Sequence, residues 1–124
     1  MTALFPIVSG LLAIFAGLAH SYLGERRILW RLFAEDSSEA LKKGRMRELI
    51  RAVWHVPSLA WLVPGLALVH TGINGGGSPV LAITAGTVFT LSGAANWIAL
   101  RGFHFGGAVL VAAGLLAFAG AAGF

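Results

Sequence analysis

Four histidines dominate the chemistry open to this 124-residue chain. Cysteine is absent, which removes thiolate metal sites, iron–sulfur ligation and disulfides from consideration. His20 closes the first apolar stretch, His55 opens the second and His104 opens the fourth. If those stretches are helices of one bundle, these three histidines share one end. His70 closes the second stretch at the opposite end, about 22 Å from His55 along a helix. Asn96, Glu25 and several arginines fall at the depth of the three. Ionisable groups at membrane depth are functional candidates by default. The plainer alternative is that an interfacial histidine bonds a neighbouring helix while its polar edge reaches water. His70, at a helix C-terminus, suits a partial positive charge there.

Two chemistries fit three histidines. The first is a single b-type haem, with His20 and either His55 or His104 ligating from facing helices. Propionates would then call for arginines at the surface, and Arg26, Arg27, Arg51 and Arg101 are in place, with Asn96 at the same depth. The second is a divalent metal held by His20, His55 and His104, with Glu25 as a further donor. His20 and Glu25 are separated by about 140° around a regular helix. They could share an ion only if the helix ended between them, at Gly24. The arginines also disfavour a cation by raising the local potential.

The run His20-Ser21-Tyr22-Leu23-Gly24-Glu25-Arg26 reads H-x-x-x-G-x-R. It resembles the haem-ligand segment of the membrane-anchor subunit of succinate dehydrogenase, which has that spacing at a helix end. The resemblance implies that His20 is an axial ligand and that Arg26 lies near a propionate or a quinone. That family commonly has three spans and a partner subunit, whereas four spans are read here. The whole chain resembles small four-span membrane proteins of bacteria, a resemblance that carries topology and no activity.

Positioning these residues falls to long apolar elements. Hydrophobic residues make up 57% of the chain and charged residues 11%, against about 25% charge in soluble domains. Mean hydropathy is +0.82. A soluble domain of this size could not cover its surface with so little charge, and a disordered chain would be far less apolar. Four stretches approach the roughly 20 apolar residues needed to cross a bilayer: 4–22, 52–70, 79–100 and 103–124. They lack the alternation of barrel strands, so each should be a helix. The expected fold is an all-α integral membrane four-helix bundle, up-down-up-down, forming one transmembrane domain over 1–124.

Of the nine basic residues, eight lie in segment 23–51 and the ninth is Arg101, between the third and fourth stretches. Loop 71–78 has none. Segment 23–51 and Arg101 share one end of the bundle, and the positive-inside rule places it in the cytoplasm with both termini external. The expected location is therefore a bacterial inner membrane, multi-pass, with lipid as the main partner. Nucleic acid is not expected despite the net charge of +4, because topology accounts for the basic residues. The first stretch lacks a basic leader and a cleavage site before polar sequence, so it reads as a span.

Within 23–51, residues 24–33 keep helical spacing, so the first helix should extend past the membrane. Asp36 and Glu39 have capping-box spacing ahead of a second stretch, with Leu41, Leu49, Ile50 and Val53 set among basic residues. That stretch could lie on headgroups. Pro57 is expected near the start of the second span, and Pro64 is expected to kink it. Small residues form a stripe on three helices: Gly10, Ala13 and Gly17; Gly86, Thr90 and Gly93; Gly107, Gly114 and Ala121. Such stripes let membrane helices approach closely, within this chain or against copies and partners. The first stripe leads to His20, which should point inward. Trp30, Trp54, Trp61 and Trp97 read as interfacial belt residues, with stacking on a cofactor as the alternative.

The spans contain no Asp or Glu, which argues against export driven by an embedded carboxylate. No nucleophile triad, nucleotide loop or carboxylate pair is evident. The leading expectation is a small membrane protein holding one b-type haem at the cytoplasmic leaflet, with electron transfer as a natural use. Its rivals are an accessory subunit of a larger membrane complex and a divalent-metal binder or carrier; the protein partners expected are such a complex or, in a homo-oligomer, further copies of this chain.

Overall fold

The computed structural model describes residues 3–35 and 38–123. All elements among them are helical. In order they are α1 (Leu4–Leu23), a π-helical turn (Gly24–Leu29), α2 (Trp30–Ala34), α3 (Glu39–Lys42), α4 (Gly44–Ile73), α5 (Pro79–Ala99) and α6 (Phe105–Ala121). α1, the π turn and α2 join into one helix of 31 residues. That helix, α4 and α5 are each long and apolar enough to cross a membrane. α6 is a shorter apolar helix of 17 residues, about 25 Å long at 1.5 Å per residue.

Local signals start and stop these helices. Ser78 caps α5 by accepting from the Leu81 amide, and Pro79 stands at the first helical position, where its missing N–H costs nothing. Ser38 caps α3 in the same way through Leu41. Asp36, the first residue of the expected capping box, lies outside the described residues. Arg101 has a φ of 51° in the turn between α5 and α6, and the Trp97 indole closes that turn by donating to the His104 carbonyl at 3.1 Å.

The first part of segment 23–51 continues α1, as the helical spacing of 24–33 predicts, whereas its last part is the beginning of α4, which starts at Gly44 instead of near residue 52. The stretch expected to lie on headgroups is therefore mostly the first turns of one helix about 45 Å long. Pro57 sits well inside that helix, which runs on through both Pro57 and Pro64. Arg47 and Arg51 reach back over the Phe33 ring, at 5.7 and 5.4 Å from its centre. These stacks pin α2 to α4 at the basic end.

α1 packs against α4 and α6, α5 packs against α6, and α4 and α5 meet over a smaller contact. Each neighbour is antiparallel, so the four long helices alternate in direction. Ala13, Leu68, Phe89, Leu110, Ala113 and Ala117 fill the centre. The small residues set the approach. A Cβ on Gly10 would overlap the Gly65 carbonyl, and one on Gly65 would come within 3.0 Å of the Gly10 carbonyl. Gly86 faces Gly114, and Gly93 faces Gly107, in the same manner. The stripes are thus used within the chain. Ser9, fully buried, donates to the Ala113 carbonyl at 2.7 Å and ties α1 to α6.

Candidate functional site

The last regular turn of α1 presents His20 and Ser21, and the middle of α4 presents Trp54, His55, Ser58 and Trp61 on the facing side. On α4 the spacing 54, 55, 58, 61 is one helical face. Their meeting forms a polar seam in an otherwise apolar interface. Ser21 Oγ donates to Ser58 Oγ at 2.8 Å. Ser21 has one hydrogen, so its 2.8 Å contact with His55 Nδ1 has the imidazole donating. Ser58 accepts from Ser21, which leaves its own hydrogen available to His20 Nδ1, 3.1 Å away. His20 Nε2 has no hydrogen-bond partner among the described residues. His55 Nε2 lies 3.6 Å from the Glu25 carboxylate, which also pairs with Arg51 at 2.8 Å.

The π turn makes the outer part of this arrangement possible. It begins at Gly24, where a Cβ would overlap the Trp54 indole. With no side chain there, Trp54 lies against α1 and stacks on His20, ring centres 4.9 Å apart and planes 9° apart. Trp61 meets the same imidazole at 5.2 Å and 79°. The wider turn also sets Glu25 toward His55 and Arg51. Glu25 and His20 therefore serve different partners, as their separation around the helix implied.

Beside the seam is a cavity of about 390 Å³. His20, Trp54 and Trp61 form one wall. Asn96 lies on α5, and His104 with Phe105, Val109 and Leu110 line the α6 side. Phe15, Leu23, Ile28 and Phe105 complete the lining and are each more than 40% exposed on the outside of the bundle. The cavity is thus mostly apolar, walled by indoles, and bordered by outward-facing hydrophobic residues between α1 and α6.

The expected site residues are divided by this geometry. His20, His104 and Asn96 line one cavity. His55 stands behind His20 with one ring nitrogen bonded to Ser21 and the other facing Glu25. The three histidines consequently do not converge on one point, and among the described residues no group of three or more His, Asp or Glu could hold a metal ion. Asn96 donates to the Ser92 carbonyl at 3.2 Å. Arg51 pairs with Glu25, Arg26 lies over the Tyr22 ring at 5.7 Å, and Arg101 is exposed in its turn. None of the three arginines lines the cavity.

Ser21 and Ser58 were not expected as site residues, and Trp54 and Trp61 were read first as belt residues. Trp30, 68% exposed, suits a belt position, but Trp61 is 4% exposed and donates to Ser92 Oγ at 3.0 Å. Trp54 is an inner wall residue as well. The signal that could have found them is the one helical face shared by Trp54, Ser58 and Trp61, opposite His20. The chain matches no protein-family model, no curated protein and no solved structure, so its function must be argued from this site.

Proposed function

We propose that the protein is a four-span membrane bundle that binds a lipid-soluble organic ring compound in the His20 cavity. The observation that carries this reading is the His20 imidazole, whose Nε2 is left unpartnered in the wall of an apolar, indole-lined cavity. With Ser58 donating to Nδ1, a neutral imidazole holds its hydrogen on Nε2. It is then a donor suited to a carbonyl or ring nitrogen on the ligand. Such pockets, of roughly 300–1,000 Å³ with few polar groups, suit small apolar ligands.

Insertion in the bilayer is supported by the outer faces. Leu11, Phe15 and Leu18 on α1, Val56, Leu59, Val63 and Leu66 on α4, Ile83 and Leu91 on α5, and Leu115 on α6 are each more than half exposed. Water would not tolerate so large an apolar surface. α6 would be the fourth span, at the short end of the workable range. The basic residues then put the His20 end in the cytoplasm and both termini outside, in the inner membrane of a bacterium.

Haem b is the second reading, and one observation favours it. His20 and His104 line the same cavity, and His20 is anchored through Nδ1 as ligating histidines commonly are. Bound haem would supply one-electron transfer, and these two residues would hold it. Iron requires the lone pair on Nε2, so Nδ1 would have to donate to Ser58.

The test uses protein purified in mild detergent from haem-replete cells. Absorbance spectra are recorded oxidised and reduced, and tryptophan quenching is followed with 2-methyl-1,4-naphthoquinone as the probe. A colourless protein with saturable quenching is expected, weakened about tenfold in His20→Phe, the loss of one hydrogen bond of about 1.4 kcal/mol. A Soret band with sharpened reduced bands would establish the haem reading. No pigment and no saturable quenching would leave a non-catalytic accessory subunit of a larger membrane complex, and native gels would then show the complex.

A further inference from the structure

The ligand reading leaves unexplained why polar groups continue outward from His20 through the α1/α4 interface. Polar side chains there replace apolar packing, and two of them, Ser58 and Ser21, bond to each other and to nothing but imidazoles among their side-chain contacts. Read from outside inward, the order is Arg51, Glu25, His55, Ser21, Ser58, His20. Arg51 and Glu25 are 48% and 39% exposed, whereas Ser58 is 2% exposed. With the hydrogen of His55 on Nδ1 and that of His20 on Nε2, each hydrogen from His55 inward points the same way: His55 Nδ1–H to Ser21, Ser21 to Ser58, Ser58 to His20 Nδ1.

We propose that the α1/α4 seam is a proton path from the basic end of the bundle into the cavity, ending at His20 Nε2. The proposal rests on the ligand reading for its destination, and it names the ligand class more closely: a ring compound that accepts a proton while bound. The transfer balances without any electron moving. A proton from water reaches His55 Nε2, across the 3.6 Å gap to Glu25 that a small side-chain shift or one water closes. His55 releases its Nδ1 proton to Ser21 Oγ, Ser21 passes its own to Ser58, and Ser58 passes its own to His20 Nδ1. His20 then gives the Nε2 proton to the ligand. Rotation of the two hydroxyls and re-exchange of the imidazole protons restore the starting state. The titratable or charged groups near this line are His20 on α1, Glu25 on the π turn, His55 and Arg51 on α4, and His104 across the cavity on α6. Glu25 with Arg51 keeps the outer mouth polar, and the stack on Trp54 holds the inner imidazole in register.

The path requires two neighbouring histidines to hold opposite tautomers, and that is the test. Nitrogen NMR of histidine-labelled protein in lipid nanodiscs, without any ligand, reads each ring nitrogen as protonated or bare, with His20→Phe and His55→Phe giving the assignments. Neutral His20 should carry its hydrogen on Nε2 and neutral His55 on Nδ1. Ser58→Ala should switch His55 to Nε2–H, although Ser58 and His55 share no hydrogen bond, and Ser58→Thr should leave it unchanged. Finding His55 with its hydrogen on Nε2 in the unmodified protein overturns the path, and this reading needs no variant to fold. A His55 that ignores Ser58→Ala overturns it too. Titrating the naphthoquinone probe into the same sample separates the two claims. Absence of binding removes the ligand reading, while the tautomers decide the path.

Discussion

Gly24 is bare because Trp54 fills the space where its side chain would be. Gly24→Ala should push the indole off His20. The expected cost is about 1–3 kcal/mol of overpacking, read as earlier thermal unfolding in detergent together with a changed Trp54 emission. Thr90 presents the opposite case. Its hydroxyl is buried in the α5/α6 interface without a partner among the described residues, so Thr90→Val should stabilise the bundle by about 1 kcal/mol, the desolvation cost of an unmade hydrogen bond. Unfolding midpoints of the two variants should therefore move in opposite directions. At this scale the candidate site was half legible. Histidine announces itself, because ionisable imidazoles gathered at one end of long apolar helices are costly without a role. Serine does not, because in membrane helices it is also a routine small packing residue. What makes Ser21 and Ser58 notable is that they meet each other, a fact that depends on how α1 and α4 are rotated and not on anything local to either residue.

The elements that were easiest to read were those whose apolar runs leave a helix no competitor, such as α5 between its serine cap and the Arg101 turn. Segment 23–51 was harder. Its spacing gave an extended first helix and then a surface helix, yet the second stretch is mostly the start of α4, and the side chains of Arg47 and Arg51 stack on Phe33. The π turn had no sequence signal beyond Gly24, since a single widened turn uses the same residues as a regular one and is decided by what packs against it. Helix pairing leads to a prediction with its own control. A side chain on Gly114 would run into the Thr90 hydroxyl and the Gly86 carbonyl, while Gly76 has open space around it. Gly114→Leu should lower stability by several kcal/mol and disturb the α5/α6 pair, through overpacking at a backbone contact. Gly76→Ala should stay within about 0.5 kcal/mol of the parent. Thermal unfolding of the two proteins in the same detergent checks the contrast.

For the molecule as a whole, orientation is the property on which the proposed function depends. The chain has no cysteine, so single cysteines can be introduced at chosen points and labelled in intact cells with a membrane-impermeant maleimide. Ser78→Cys should react at once. Lys43→Cys should react only after the inner membrane is opened. The reverse pattern would put the His20 end outside and contradict the assignment of that end to the cytoplasm. The packing has one further consequence. α1 with α4, and α5 with α6, form two glycine-locked pairs, and the only covalent link between the pairs is the short loop through Gly75, Gly76 and Gly77. The protein is in effect two hairpins written in succession. Cut at Gly76 and expressed as separate fragments, residues 1–75 and 76–124 should insert independently and find each other through the α1/α6 face, restoring the cavity from two pieces.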